Sequence, residues 1–177
     1  MTDQKTGHDL KLLISSDSIQ SKVEEIGKRI SADYRGKIPI LICTLKGAFV
    51  FLSDLIRSID IQTEIDFIWV SSYKSLTEPE STKLISKNRT DLKDRHVILI
   101  EDIIDTGITA KFIQSIILSE NPKSLKVCSL LDKRERRKMH IKIDYTGFVI
   151  EKGFVVGYGM DYGERGRELR HIYILNK

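Results

Sequence analysis

The sequence predicts an α/β fold in which a mainly parallel sheet is flanked by helices. Three mainly apolar runs, at 39–45, 97–100 and 124–131, are typical of strands buried on both faces of a parallel sheet, and the one at 97–100 is unbroken. Apolar residues at helical spacing follow the first two runs, which indicates that strands and helices alternate along the chain. The length of 177 residues fits one domain, over residues 1–177, with a sizeable core.

Shorter patterns predict the remaining elements. Residues 17–34 predict a helix, because four isoleucine and valine side chains recur at helical spacing and Gly36 lies just past the end. Residues 64–72 alternate between apolar and polar side chains, which predicts a strand. The stretch 72–90 is almost entirely polar, and a polar connection of this length in a compact domain is often an active-site lid.

The composition is that of a globular chain with a modest positive charge. Hydrophobic residues make up 41%, charged residues 31%, and the net charge is +4 with a pI near 9.0. Apolar runs fall short of the roughly 18 residues of a membrane span, and residues 1–11 lack the apolar centre of a signal peptide. Cys43 and Cys128 lie in apolar, strand-like runs, which predicts reduced, buried thiols and a cytoplasmic location.

The joint between the second apolar run and its helix carries the most chemistry. Three carboxylates, two threonines and a glycine lie within nine residues: Glu101, Asp102, Asp105, Thr106, Gly107 and Thr109. Such a joint suits phosphate, since the amides and dipole of a helix start favour an anion. The carboxylates suit other tasks, namely sugar hydroxyls, a magnesium ion or general-base catalysis. A ligand with a phosphate, a ribose diol and a metal would use all of these groups.

Basic residues form two further features. Lys46 and Gly47 follow the first apolar run and make a second candidate anion site. The run 133–138 contains five basic residues in six, which would suit nucleic acid, but no aromatic residue interleaves it and a solvated loop is the simpler interpretation. The sequence lacks the glycine-rich motifs of P-loop and dinucleotide-binding proteins, and its four histidines show no zinc-binding spacing.

Five segments resemble the motifs of one protein family and occur in the same order as in that family: 45–49, 72–73, 101–109, 142–148 and 154–167. The central one, Glu-Asp-Ile-Ile-Asp-Thr-Gly-x-Thr, resembles the phosphoribosyl pyrophosphate motif of the purine phosphoribosyltransferases, and most closely that of the hypoxanthine-guanine enzymes. The resemblance implies a type I phosphoribosyltransferase fold with a small hood built from the N- and C-terminal segments. Lys74 and Gly166 depart from the family pattern, where glycine and an aromatic residue are usual.

The resemblance also implies the reaction and the role of each residue. In purine salvage, 5-phosphoribose would pass from phosphoribosyl pyrophosphate to N9 of hypoxanthine or guanine, with Mg²⁺ as cofactor, giving IMP or GMP and pyrophosphate. Asp105 would be the general base, Glu101 and Asp102 would hold the ribose hydroxyls or their metal, and Asp161 would face a second magnesium. The other implied contacts are Thr106, Gly107, Ile108 and Thr109 for the 5-phosphate; Lys46, Gly47 and Arg167 for pyrophosphate; Lys142, Phe154, Val155 and Asp161 for the purine; and Ser72 and Tyr73 for the start of a mobile lid. A cis peptide bond before Lys46 is a further implication.

Several alternatives stay open on the sequence alone. The basic run would also suit an RNA-binding regulatory protein on the same fold, although Lys142 and Phe154 favour purine chemistry. A lysine donor prefers the 6-oxo group of hypoxanthine or guanine to the 6-amino group of adenine, whereas xanthine stays compatible. Members of the family are usually dimers or tetramers, so we expect a homodimer or a homotetramer.

Overall fold

The computed structural model describes residues 10–73 and 81–175, which form nine strands and three helices. In chain order these are β1 (Leu10–Ile14), α1 (Ser16–Asp33), β2 (Ile40–Leu45), α2 (Phe49–Arg57), β3 (Glu64–Tyr73), β4 (Ser81–Ser86), β5 (His96–Ile104), α3 (Ile108–Leu118), β6 (Ser124–Lys133), β7 (Tyr145–Ile150), β8 (Val155–Val156) and β9 (Ile172–Leu175).

Six strands form the central sheet in the order β4-β3-β2-β5-β6-β7. Every neighbouring pair is parallel except β3 and β4, which pair antiparallel at one edge. The other three strands form a separate antiparallel sheet, β1-β9-β8, which joins the N-terminal strand to the C-terminal one. The predicted fold class, a mainly parallel sheet flanked by helices, is confirmed. Because five strands run the same way, their carboxyl ends share one edge, where open α/β sheets bind ligands.

Helices cover both faces of the central sheet. In β2, Leu41 and Cys43 pack in the cluster formed with α1 and α2, whereas Ile40 and Ile42 pack in the cluster formed with α3. Burial on both faces explains why the middle strands are mainly apolar and do not alternate with polar residues. Both cysteines, including Cys128 in β6, are buried free thiols, as predicted.

The first helix shows how the apolar pattern and its cap fix an element. The side chains that α1 buries are those at helical spacing: Ile19, Val23, Ile26 and Ile30. At its start the hydroxyl of Ser15 accepts a hydrogen bond from the amide of Ser18 at 3.2 Å, which caps the helix. Within the part of the chain that the structure describes, no helix is long and apolar enough to cross a membrane.

The prediction of a continuous polar loop over 72–90 was wrong. Strand β3 continues to Tyr73, and β4 returns antiparallel beside it. In β4, Leu84 packs on the α3 side of the sheet, whereas Ile85 is 50% exposed. An edge strand that buries only one face needs few apolar residues, so its sequence resembles that of a polar loop. Residues 74–80 lie outside the described residues, so the lid that would begin at Ser72 and Tyr73 stays a prediction.

Candidate active site

A cavity of about 580 Å³ opens at the carboxyl ends of β2 and β5, and we call it the cleft. Its walls come from the loop after β2, from residues 101–110 and from the segment around Asp161. Parallel pairing of β2 with β5 brings the first two walls together, because both strands end at the same edge. Two predicted anion sites that lie more than 50 residues apart in the sequence therefore meet in one place.

Two carboxylates form the floor of the cleft. β5 extends to Ile104, so Glu101 and Asp102 lie inside the strand, near its carboxyl end, rather than after it. Glu101 is only 4% exposed, and its Oε1 atom is buried without a hydrogen-bond partner. Burial, reinforced by the neighbouring charge of Asp102, raises the pKa of Glu101 to about 8. Burial also raises the pKa of Asp102 to about 6, although backbone amides and Arg167 favour its charged form.

This pair has the chemistry of a site for a positively charged or hydroxyl-bearing ligand. Without such a ligand, each carboxyl group is costly to ionise in its buried position. A cation or sugar hydroxyls beside it would stabilise the charged form and satisfy the unpartnered oxygen. Among residues 10–73 and 81–175, no three His, Cys, Asp or Glu side chains form a ready-made metal cage. Two carboxylates that line a cavity suit a hard cation that keeps waters and substrate oxygens as its other ligands, as Mg²⁺ does.

The start of α3, where the sequence predicted an anion site, forms another wall of the cleft. Gly107 is the residue before the helix, with φ +82°, and a Cβ there would lie 2.7 Å from the carbonyl oxygen of Met139. Only glycine fits this position. The amide of Ile108 lies 3.4 Å from the hydroxyl of the buried Thr106, and both Thr106 and Thr109 line the cleft. The helix start thus presents amides and hydroxyls to the cavity.

The loop after β2 passes close over the floor. A Cβ on Gly47 would lie 1.9 Å from Oδ2 of Asp102. Only glycine at position 47 therefore lets the backbone come this close to the carboxylate. The peptide bond between Leu45 and Lys46 is cis, in agreement with the resemblance. Nζ of Lys46 lies 3.0 Å from Oε2 of Glu164, on the opposite wall.

Arg167 lies at the same wall and binds three oxygens. Its Nη2 atom is 2.7 Å from Oδ1 of Asp161 and 3.2 Å from Oε2 of Glu164, and its Nη1 donates to the carbonyl of Gly159 at 2.9 Å. Lys46 and Arg167 therefore converge on one carboxylate, as two predicted pyrophosphate ligands should converge on one anion. Asp161 also accepts the amide of Glu164 at 2.9 Å, so both of its oxygens already have protein partners.

Asp105, the predicted base, lies at the end of the acidic segment between two cations. Its Oδ2 atom is 3.5 Å from Nζ of Lys133 and 3.6 Å from Nη1 of Arg136. Its Oδ1 atom is buried without a hydrogen-bond partner. Arg137 fixes the backbone behind it, since Nε donates to the carbonyl of Asp105 and Nη2 to that of Ile104, both at 2.8 Å.

Lys142 does not lie in the cleft. Its side chain is 83% exposed and pairs with Asp144 at 3.0 Å on the surface. Lys133, by contrast, has a side chain only 8% exposed, ends β6 and lies beside Asp105. The prediction of a solvated loop over the basic run was wrong for Lys133 and Arg137, which both point inward. The sequence carries a signal for Lys133, because a lysine at the carboxyl end of a buried strand is the same pattern that predicts an anion site at Lys46.

The segment around β8, which the resemblance assigns to the purine, forms a further wall of the cleft. Phe154 lines the cleft, is 46% exposed and meets Tyr162 edge-on with ring centroids 5.6 Å apart. Val155 follows it, buried in β8 and paired with Ile174 of β9. Asp161 lies six residues further on, also at the cleft. An exposed aromatic face beside carboxylates and a helix start suits a flat base joined to a phosphorylated sugar.

The chain matches the family described as "Phosphoribosyl transferase domain" over residues 15–163. It belongs to that family. Among curated proteins it is 41% identical over 171 residues to a hypoxanthine-guanine phosphoribosyltransferase of Aquifex aeolicus, covering 96% of each chain. It is 43% identical over 170 residues to one of Bacillus subtilis, covering 95% of this chain and 94% of the relative.

Solved structures of the family share the fold. A hypoxanthine-guanine phosphoribosyltransferase from Bacillus anthracis, solved with a HEPES molecule in its active site, aligns with a TM-score of 0.89 and 42% identity. The alignment covers 95% of this chain and all of that one. The type I phosphoribosyltransferase fold that the sequence predicted is therefore the fold of this chain.

Proposed function

We propose that this chain transfers 5-phosphoribose from phosphoribosyl pyrophosphate to N9 of hypoxanthine or guanine, releasing pyrophosphate and giving IMP or GMP for purine salvage. The observation that carries the proposal is the union, in one cleft, of the Glu101 and Asp102 carboxylates with the amide-rich start of α3, beside two cations, Lys46 and Arg167, that meet at Glu164. Near-full-length similarity to hypoxanthine-guanine phosphoribosyltransferases supports it.

The sugar phosphate binds at the junction of β5 and α3. Thr106, Gly107, Ile108 and Thr109 surround the 5-phosphate with backbone amides and hydroxyls. Glu101 and Asp102 accept hydrogen bonds from the ribose hydroxyls, which supplies the partner that the buried Oε1 of Glu101 lacks. Fixing the phosphate and the diol together sets the position of the reacting C1 carbon relative to the base.

The leaving group departs toward two cations. Breaking the bond from C1 to oxygen builds negative charge on pyrophosphate, and Lys46 and Arg167 stabilise that charge beside the amides of the Gly47 loop. Glu101, Asp102 and Asp161 would hold Mg²⁺, which would supply further charge stabilisation to the pyrophosphate when bound. Asp161 would have to exchange its bond with Arg167 or with the amide of Glu164 to do so.

The purine is held against Phe154 and read at its edge. Phe154 stacks on the base. The backbone of Val155 and the residue Asp161 also contact the purine. We assign the 6-oxo group to Lys133 instead of Lys142, because Lys133 is buried beside Asp105 whereas Lys142 is on the surface. Asp105 acts as general base near N7, a role worth roughly 10² to 10⁴ in rate.

We further propose a homodimer or a homotetramer in the cytoplasm, with the sheet β1-β9-β8 as a hood on a single domain. One face of β3 is open to solvent between the helices and the sheet edge, with Ile65, Phe67 and Trp69 exposed by 39%, 42% and 37%. A contiguous apolar face of this kind favours association. The buried free thiols suit a reducing compartment. Light scattering at several concentrations measures the number of subunits.

A spectroscopic assay tests the activity. The chain is incubated with phosphoribosyl pyrophosphate, magnesium and one of four bases: hypoxanthine, guanine, xanthine or adenine. We expect IMP or GMP and pyrophosphate from the first two and no turnover of adenine, which offers no acceptor at position 6 to a lysine. Turnover of adenine alone, or of no base, would overturn the proposal.

A further inference from the structure

Three consecutive residues at the edge of the site have left-handed backbone. Gly157, Tyr158 and Gly159 have φ of +110°, +51° and +96°. The two glycines adopt such angles freely, but a tyrosine does so at a cost of about 1 kcal/mol or more, so its surroundings must hold it. This segment, 157–159, follows β8 and leads directly to Asp161, and we call it the strained loop.

Hydrogen bonds hold both the side chain and the backbone of Tyr158. The residue is 7% exposed, and its hydroxyl donates a hydrogen bond of 2.6 Å to Oδ2 of Asp54 on α2. Its amide donates to the carbonyl of Leu169 at 2.8 Å. Burial, and then the Asp54 carboxylate, raise the pKa of the Tyr158 phenol, so it stays a hydrogen-bond donor at all working pH values. The other oxygen of Asp54 pairs with Arg57.

The strained loop also touches the loop after β2. A Cβ on Gly159 would lie 2.2 Å from the carbonyl oxygen of Gly47, so the two backbones are in direct contact. Gly159 exchanges two hydrogen bonds with Arg167, both of 2.9 Å. Helix α2 begins only three residues after Lys46. The hydrogen bond from Tyr158 to Asp54 thus ties the segment that carries Phe154 and Asp161 to the helix that directly follows the Lys46–Gly47 loop.

We infer that Tyr158 and Asp54 are positioning residues for the transfer, whose hydrogen bond sets the spacing between the purine wall and the pyrophosphate wall of the cleft. Neither side chain lines the cleft, so neither touches the reacting atoms. The inference rests on the proposed function for its meaning in catalysis. Errors of about 1 Å in the placement of reacting groups can cost up to about 10²-fold in rate, so one distant hydrogen bond can matter.

Tyr158→Phe removes the donor and keeps the ring. We expect kcat/KM for phosphoribosyl pyrophosphate to fall about tenfold or more, with changes in both kcat and KM, while the fold persists. Tyr145→Phe is the matched control, because the hydroxyl of the buried Tyr145 also donates over 2.6 Å to an aspartate, Asp33, outside the cleft. It should cost similar stability and leave the kinetics within twofold of wild type.

Variants of the acceptor separate positioning from loss of stability. Asp54→Asn keeps an acceptor for the Tyr158 hydroxyl and should retain activity within about threefold, whereas Asp54→Ala should match Tyr158→Phe. The double variant Tyr158→Phe/Asp54→Ala should lose no more activity than Asp54→Ala alone, because both changes remove the same hydrogen bond and the pair of Asp54 with Arg57 lies on the surface. Unchanged kinetics in Tyr158→Phe, an equal loss in Tyr145→Phe, or additive losses in the double variant would each overturn the inference.

Hydrogen exchange gives a readout that does not depend on activity. The amides of Gly157, Tyr158, Gly159 and Met160 are all hydrogen-bonded within this region. In Tyr158→Phe they should exchange at least about tenfold faster than in wild type or Tyr145→Phe. If wild type turns over no purine but exchange rises as expected, the proposed function fails, whereas the structural link that Tyr158 and Asp54 make between the two walls stands. If exchange is unchanged, the positioning role fails whatever the activity.

Discussion

The carboxylate of Glu164 lies 3.0 Å from Nζ of Lys46 and joins the two walls of the cleft. The same oxygen is 3.2 Å from Nη2 of Arg167. Hydrogen bonds from Lys46 and Arg167 lower the pKa of Glu164, so it carries its charge at neutral pH. The Glu164 carboxylate therefore pairs with both cations that we assign to pyrophosphate. The pyrophosphate group of the substrate must displace this carboxylate in order to bind them.

Glu164→Gln should improve binding at the pyrophosphate wall. Without the charge, Lys46 and Arg167 are released to the substrate, and KM for phosphoribosyl pyrophosphate should fall about twofold to fivefold, the range expected for exposed ion pairs. Inhibition by pyrophosphate should tighten by a similar factor. Steady-state kinetics at fixed guanine measure both, with the exposed Glu168→Gln as control. A higher KM would mean that Glu164 organises the cations for the substrate instead of competing with it.

Asp105→Asn tests the general base. We expect the fold to persist and turnover to fall at least tenfold, because an amide cannot accept the proton that a carboxylate at N7 would take. Single-turnover kinetics with hypoxanthine and guanine, beside thermal unfolding, separate the chemical step from stability. The exposed Asp60→Asn is the matched change outside the cleft. Unchanged turnover in Asp105→Asn would remove this residue from the mechanism.

Lys133→Met and Lys142→Met form a matched pair that decides which lysine reads the purine. Lys133 is buried beside Asp105, so its loss should raise KM for hypoxanthine and guanine about tenfold to a hundredfold, the range for a hydrogen bond to a charged group. Lys142 is 83% exposed, and its loss should change KM by less than twofold. Steady-state kinetics with both bases provide the measurement, and the reverse result would restore Lys142 as the purine contact.

The contrast between these two lysines shows where sequence reasoning stops. The joint from β5 to α3 is local, so its glycine, threonines and carboxylates could be placed from the sequence alone. Which of several basic residues between 133 and 142 turns inward depends on how far β6 extends, and the charged residues themselves do not reveal it. The fold, the family and the purine-salvage activity were predicted correctly, whereas the individual residue roles remain proposals.

Long-range pairs were out of reach for a related reason. The hydrogen bond between Tyr158 and Asp54 joins residues 104 positions apart, and nothing in the pattern of either segment points to the other. Strand β4 was missed because an edge strand buries only half of its side chains, which left its polar residues looking like a loop. Contacts across the sheet and edge pairing therefore required the structure.

The raised pKa of Glu101 predicts a specific dependence of stability on pH. The native state holds a proton up to about pH 8, whereas the unfolded chain releases it near pH 4.5, so between these values the native state binds more protons. The free energy of unfolding should therefore fall as the pH rises through this window, by about 1.4 kcal/mol per unit of pKa difference at most. Glu101→Gln should flatten the curve.

Urea unfolding at several pH values between 5 and 9, without magnesium, measures this effect. The advantage of Glu101→Gln over wild type should grow with pH and be smallest near pH 5. The exposed Glu168→Gln should follow wild type throughout. A gap between Glu101→Gln and wild type that does not change with pH would show that this carboxyl titrates normally in the folded protein.

Arg137 is the residue of the basic run whose loss should matter most to the fold. Its guanidinium donates to the carbonyls of Ile104, Asp105 and Lys133, at 2.8, 2.8 and 3.0 Å, and also pairs with the buried Asp132. Arg137→Ala would leave these acceptors without their donor, so we expect a loss of about 2 kcal/mol or more in the free energy of unfolding and a lower kcat as the Asp105 backbone shifts.

Arg134 provides the comparison within the same run, because it is 62% exposed and makes one ion pair with Asp132. Arg134→Ala should cost less than about 1 kcal/mol, as is usual for exposed pairs. Arg137→Lys keeps the charge but cannot present a planar fork to several carbonyls at once, so it should resemble Arg137→Ala more than wild type. Urea unfolding of all three variants beside kcat measures these differences. Equal effects at positions 134 and 137 would mean that the run acts only through its charge, which would make binding to a polyanion its main role.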